Sequence, residues 1–452
     1  MMGPRQVAQS SLFYEFSIED HVPADHLLRK IDRYLDLSEI RSFLAPYYSH
    51  QGRPSIDPEL MIRMLLLGYA MGIRSERRLC EEVHLNLAYR WFCRLDLTDP
   101  IPDHSTFSKN RHGRFRDSDL FRHLFETVLV RCIAEGLVGG EEFGVDASII
   151  PADAKRLNKV EAKDWTPERI TRATDEYFET LDDAAFGAAT PVKPKVLSPV
   201  DPAARFTGAR KAYSIFAYST NYLVDLKNAI ILDVEATAPI RQAEVNAALD
   251  MVDRVEGLYG LYPEKFVGDG AYGNAETLGW LVHEKGIEPH VPVLDKTWRH
   301  DGTFSRADFI FDALNDRYIC PGGIELLPHR RPFQTIRPRV KDDETVRYRA
   351  AKSDCEGCAL KTQCCPNTPA RNVTRSIHEG ARDLARDIAK TDAFVASRHA
   401  RRKVEMLFAH LKKIMGLTRL RLRGPNGAKD EFTLAATAQN LRKMAKLLPA
   451  PV

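Results

Sequence analysis

Between Arg398 and Arg423 the chain reads RHARRKVEMLFAHLKKIMGLTRLRLR, and Glu405 is the single acid among nine Lys and Arg residues. A carboxylate in such surroundings is either neutralised by a strong salt bridge or placed to work beside bound phosphate. Two acids far upstream favour the second reading: Asp146 in EEFGVDASII and Asp269 in KFVGDGAYG. Neighbouring residues of a strand point to opposite faces, so with Val145 packed inward Asp146 is expected to point outward, near the strand's C-terminal half. Asp269 stands between Gly268 and Gly270 directly after a short strand, where glycine permits a sharp turn and close approach of a ligand. Carboxylates at the ends of adjacent strands can converge above a sheet edge. Three of them suit hard divalent cations, which take oxygen ligands; Mg²⁺ also keeps coordination for water and substrate phosphate. Two such ions, roughly 3.5–4 Å apart, can activate the attacking oxygen and stabilise the leaving oxygen of an in-line displacement. Asp153, Asp225 and Asp233 lie in the same β-rich region and compete for these roles.

Helical spacing gives Glu405 its neighbours. At about 100° per residue, Arg401, Glu405, Phe408 and Lys412 share one stripe. Val404, Leu407, Leu411 and Ile414 form the adjacent apolar stripe, suited to packing on a sheet. Arg401 and Lys412 would then hold phosphate oxygens, the first as a bidentate fork and the second as a point charge.

The elements around these residues change character along the chain. Residues 1–136 read as all-helical. In IDPELMIRMLLLGYAMGI, Asp57 is the expected N-cap and Pro58 the first helical residue. Gly72 breaks that helix and Ser75 caps the next, SERRLCEEVHLNLAYRWFC, giving a helix-turn-helix shape. Lys109, Arg111 and Arg114 follow in STFSKNRHGRF, with Arg116 directly after it, and SDLFRHLFETVLVRCIAEGL closes the region at Gly136. Arg74, Arg77 and Arg78, the bases Lys109, Arg111 and Arg114, and the bases of 398–423 are the candidate phosphate contacts, of the kind that sets register without reading sequence. From residue 137 to 297 the pattern becomes strand and helix in alternation, which indicates an α/β sheet. EEFGVDASII is β-rich, and PERITRATDEYFETLDDA is a surface helix in a polar, Pro-rich stretch that includes TPVKPKVLSPVDP. AYSIFAYSTNYLVDLKNAIILDVEATAP gives two strands turning at Lys227–Asn228. RQAEVNAALDMVDRVEG is a helix, NAETLGWLVHEKG another, and EPHVPV a strand. Residues 298–375 interrupt this with a Cys-containing insertion. Residues 376–452 return to helix: one long helix to about 415 that carries Glu405, then the amphipathic EFTLAATAQNLRKMAKLL.

Eight cysteines are present. Cys80, Cys93 and Cys132 fall in helical patterns and are expected in the core. Cys320, Cys355, Cys358 and Cys364, with Cys365 able to replace Cys364, have spacing compatible with a tetrahedral structural zinc. Free thiols in a loop are the alternative. Such a site would hold together an insertion too small to build its own core.

The chain of 452 residues is long enough for two or three domains, and its formal net charge of +3 says little about partners. The distribution says more, with acids gathered at 160–185 and bases at 398–446. No apolar run approaches the ~20 residues that span a bilayer, and MLLLGYAMGI reads as a buried helix. The first residues, MMGPRQVAQSS, lack a signal-peptide core, so a cytoplasmic location without membrane contact is the expectation.

GVDASII, GDGAYG and the R-x₃-E-x₆-K pattern of Arg401, Glu405 and Lys412 resemble the three catalytic blocks of bacterial insertion-sequence DDE transposases. QGRPSIDPELMIRMLLLGYAMGIRSERRLCEEV with PDHSTFSKNR resembles their helical DNA-binding region. YICPGG with CEGCALKTQC resembles the cysteine-bearing insertion of the branch known as insertion sequence family 1182, and GLTRLRLRG with EFTLAATAQNLRKM resembles that branch's C-terminal end. One position departs from the pattern: Arg398 stands where related elements often carry Tyr. The resemblance implies an RNase H-like catalytic domain and an Asp146, Asp269 and Glu405 triad holding Mg²⁺ or Mn²⁺. It also implies DNA as partner, in element ends and target. Pairing two ends asks for at least a homodimer in the active complex. The expected activity is cleavage at the element's end followed by joining of the 3′-OH to target DNA. A hydrolytic nuclease on the same fold, and an inactive DNA-binding derivative, are the competing expectations.

Overall fold

The computed structural model describes residues 16–49, 51–52, 54–186, 194–208, 213–295, 301–328 and 338–449. The segment MMGPRQVAQSS and residues 190–193 of the Pro-rich stretch lie outside them. The chain divides into two compact units: Met1–Gly139, Ala147–Ala247 and Glu405–Val452 in the first; Gly140–Asp146 and Ala248–Val404 in the second.

The N-terminal helices form as their caps dictate. Helix α1 (Pro58–Ala70) starts at Asp57, whose Oδ1 accepts from the Glu59 N–H at 3.2 Å. Gly72 takes φ +74°, a conformation that favours glycine, and Ser75 caps α2 (Glu76–Leu85). The expected single second helix is in fact two. Asn86 Oδ1 accepts from the Ala88 N–H at 2.9 Å and starts a separate helix, Leu87–Phe92. Helix α3 (His104–Arg111) carries Lys109 and Arg111, a separate turn at Arg114–Asp117 carries Arg114 and Arg116, and α4 (Leu120–Ala134) precedes Gly136 at φ +69°.

Strand β1 (Glu142–Pro151) contributes its two halves to the two units. In the first unit β2 (Ile215–Asp225) and β3 (Ile230–Thr237) form the expected antiparallel pair, and Arg205–Thr207 pairs with the start of β2. The Ala152 N–H donates to Phe216 O at 2.9 Å, which ties the end of β1 to β2. Helix α5 (Arg241–Tyr259) follows. In the second unit the first half of β1 pairs in parallel with β4 (Lys265–Val267), which pairs in parallel with β5 (Glu288–His290). Between them lie α6 (Ala275–Gly279) and a π-helical turn at Trp280–Glu284. The surface helix is shorter than expected, Arg172–Glu179, and Glu176 in it is buried.

The insertion does build a core, contrary to expectation. Arg317–Ile319 pairs with Ile310–Asp312 and Glu325–Leu326, while Thr345–Arg349 pairs with Asn372–Ser376. Tyr318, Tyr348, Phe309, Leu326 and Val373 are buried together with Cys355, Cys364 and Cys365. Large rings make this feasible in so short a segment: Tyr318 and Tyr348 meet edge to face with centroids 5.2 Å apart. The insertion's Arg306 forks onto the buried Glu379 with two contacts of 2.6 Å, and Arg382 and Arg386 complete the cluster at 3.0 Å. Burial works to raise the Glu379 pKa, but these guanidinium groups hold it below the ordinary value.

The expected long helix is three: α7 (Glu379–Ile388), α8 (Asp392–Ala400) and α9 (Arg402–Lys413). Thr391 caps α8 by accepting from the Phe394 N–H at 3.2 Å. The last helix, α10 (Gly424–Leu447), is not amphipathic but buried along most of its length. It packs against Leu27–Tyr34, α1, α4 and β3. Its run TLAATAQN explains this, because small side chains let neighbours close in on every face. Of its two buried amide side chains, Gln439 and Asn440, the second has a partner on both sides. Asn440 Nδ2 donates to Ile231 O at 2.8 Å and its Oδ1 accepts from Ile231 N at 2.9 Å. No described helix is long and apolar enough to cross a membrane.

Candidate active site

Register places the two aspartates. Glu142, Phe143 and Gly144 of β1 lie opposite Lys265, Phe266 and Val267 of β4. Two residues further on along each chain come Asp146 and Asp269. Asp146 is the fifth residue of a ten-residue strand, so it sits at mid-strand, at the border of the C-terminal half. Val145 is buried and Asp146 half-buried, as the alternation requires. Asp269 closes a tight turn by accepting from the Ala271 N–H at 2.7 Å. The glycines around it are selected by packing. A Cβ on Gly268 would lie 3.0 Å from the Tyr272 ring, and one on Gly273 would lie 2.0 Å from Pro292 O, whereas Gly270 has ordinary room.

A single nitrogen joins the two carboxylates. Arg401 Nη2 lies 3.2 Å from Asp146 Oδ2 and 3.9 Å from Asp269 Oδ2. Residues 255 and 132 positions upstream of Arg401 are thus gathered on one guanidinium, as their type and setting suggested. Arg401 ends α8, and Glu405 lies four residues later in the first turn of α9. Glu405 is exposed and makes no ion pair among the described residues, so salt-bridge neutralisation does not account for it. Val404, Leu407 and Leu411 are buried as the stripe predicts. Ile414 is exposed instead, and Met415 is buried in its place. Phe408 stacks on Tyr222 with centroids 5.3 Å apart.

Lys412 has a partner that sequence reading missed. Its Nζ donates to Ser148 Oγ at 2.6 Å, and burial lowers its pKa from the ordinary lysine value. Ser148 follows Asp146 by two residues and so shares its side of β1. That period-two relation was the available signal.

The rival acids have structural work. Asp225 accepts from the N–H groups of Gly139 and Lys227, Asp233 pairs with Arg122, and Asp153 pairs with Arg419 and Arg423. Among the candidate DNA contacts, Arg77, Arg78 and Lys109 are exposed, and Arg78 pairs with Glu82 at 3.1 Å. Arg114 is half-buried over the Tyr48 ring at 4.2 Å. The side chains of Arg74 and Arg111 are buried, paired with Glu431 and Glu76.

Cys93 and Cys132 are buried core residues and Cys80 is half-buried; burial pushes their thiols up to about 12, 12 and 11. None of the eight cysteines forms a disulfide. Cys320, Cys355, Cys358, Cys364 and Cys365 line one cavity of about 20 Å³. The Ile324 N–H points at Cys320 Sγ at 3.3 Å, and burial pushes the Cys364 thiol up to about 11. Among the described residues, no three His, Cys, Asp or Glu side chains are gathered as a metal-ligand group.

No curated protein and no solved structure matches the chain. Residues 16–113 match a family model described as Transposase domain (DUF772), and residues 319–445 match one described as Transposase DDE domain. The second match contains Arg401, Glu405 and Lys412 and begins after Asp146 and Asp269. Two transposase domain models on one chain, over the N-terminal helices first and the DDE segment last, support a transposase.

Proposed function

We propose that the protein is a DNA transposase that cleaves the ends of an insertion element and joins the exposed 3′-OH to target DNA. The observation that supports this most is the shared contact of Asp146 and Asp269 with Arg401. Two acids from distant segments already hold a cationic group between them, which is the donor chemistry a hard divalent ion requires. Asp146, Asp269 and Glu405 are the residues that would hold Mg²⁺ or Mn²⁺ on an RNase H-like scaffold. The ions supply activation of the attacking oxygen and stabilisation of the leaving one. Arg401 presents a planar fork to phosphate oxygens, and Lys412, steadied by Ser148, presents a point charge. The exposed bases Arg77, Arg78 and Lys109 grip backbone phosphate. Two copies of the chain would pair the two element ends.

The cysteines are proposed to hold a structural zinc through Cys320, Cys355, Cys358 and either Cys364 or Cys365. Five thiols around one cavity support this, although the side chains would have to turn toward a common centre. Elemental analysis of the purified protein should give about one zinc per chain, lost in Cys355→Ser.

Strand transfer with DNA flanking the reading frame tests the main reading. Wild type should cut and join, and Asp146→Ala and Glu405→Ala should do neither. Cutting without joining would indicate a hydrolytic nuclease, and variants that match wild type would end the triad assignment.

A further inference from the structure

The first turn of α2 opens into a cavity of about 260 Å³, and Arg77, assigned above to backbone phosphate, forms part of its lining. Arg74, Arg77, Arg111 and Arg421 line it, against the carboxylates of Glu76 and Glu431, with His104 at its wall. Four guanidinium groups facing two carboxylates make the lining cationic. Helix α2 adds to this. It has ten residues, Ser75 caps the Arg78 N–H, and the earlier N–H groups have no partner within the helix.

An independent observation points to a missing ligand. The side chains of Arg74 and Arg111 are more than nine-tenths buried, and each gives one side of its guanidinium to Glu431 or Glu76. Arg74 Nη1 and Arg111 Nε remain buried without a hydrogen-bond partner. Buried guanidinium N–H groups left in that state are costly, and an oxyanion would satisfy them. Arg77 and Arg421, both exposed, stand at the open side.

We infer that this cavity binds one phosphate group, seated on the first turn of α2, with Arg77 and Arg421 in front and Arg74 and Arg111 behind. A backbone phosphate of DNA and free inorganic phosphate offer the same chemistry. The DNA source rests on the transposase reading; the site itself does not.

The test uses the full chain, the double variant R77Q/R421Q, and R131Q as a surface control. One arm compares thermal unfolding in sodium phosphate and in sodium chloride at equal ionic strength. The other measures binding of a short duplex by fluorescence anisotropy across a salt series. Wild type and R131Q should gain stability from phosphate, and the double variant should not. The double variant should bind duplex about tenfold more weakly, the loss of a charge-assisted hydrogen bond, with a salt slope reduced by about 1. Loss in the phosphate arm alone assigns the site to free phosphate; loss in the duplex arm alone assigns it to phosphate within a strand. No change in either arm overturns the inference. Neither arm needs cleavage, so an inactive protein that still shows these losses would refute the transposase reading and leave the site standing.

Discussion

Replacing Arg401 by Gln separates a structural ion pair from a functional one. The guanidinium is 22% exposed, Asp146 20% and Asp269 45%, with contacts of 3.2 and 3.9 Å. At 4 Å and an effective dielectric of about 20, a unit charge pair attracts by about 4 kcal/mol. Partial exposure and screening reduce the net worth of such pairs to about 1 kcal/mol. Arg401→Gln should therefore cost about 1 kcal/mol in EDTA by urea unfolding, because both carboxylates then lose the guanidinium they share. Excess Mg²⁺ should restore that loss if the aspartates hold it. Cleavage should fall about 10²-fold even in Mg²⁺, as for loss of one preorganised donor to developing charge. Arg401→Lys should recover part of it, since an ammonium keeps the charge but not the fork. An Arg401→Gln protein as active as wild type, or one destabilised by several kcal/mol with no response to Mg²⁺, would refute the reasoning.

Asn440→Leu should lower unfolding free energy by about 3 kcal/mol, since it strands both the N–H and the C=O of Ile231 in the core; a change under about 1 kcal/mol in urea melts would contradict that. Asp201 is buried, accepts from Tyr218 Oη at 2.6 Å, and is pushed up to about 7, chiefly by burial. Its folded pKa lies above the unfolded value. Its contribution is thus fully present below about pH 4 and lost as pH rises through about 7. Asp201→Asn, which resembles the protonated form, should gain on wild type by on the order of 2 kcal/mol between pH 5 and pH 8. An equal difference at both pH values would count against the shift.

Local signals carried the aspartates. Val145 and Asp146 alternate within a strand, and a glycine-flanked acid after a short strand marks a turn; the parallel register of β1 with β4 turns those two local facts into proximity. The helix breaks were also written locally, at Asn86 and Thr391, whose side chains cap new helices, but the apolar periodicity running through them masked the caps. The burial of α10 was also legible, in the small side chains of TLAATAQN, but the polar residues among them read as an exposed face. Two features had no local signature. The core of the insertion depends on Tyr318 meeting Tyr348 across strands far apart in sequence. The choice among Asp146, Asp153, Asp225 and Asp233 follows from the partners each acid finds, which spacing does not encode.

The claim beneath all of this is that Asp146, Asp269 and Glu405 serve one divalent-ion centre. Anomalous diffraction from crystals soaked in Mn²⁺ tests it most directly. The expected result is a manganese peak within about 2.0–2.3 Å of oxygens from all three side chains, as suits a hard cation on carboxylates. A peak at Asp146 and Asp269 that leaves Glu405 out of reach, or manganese bound only elsewhere, would contradict it.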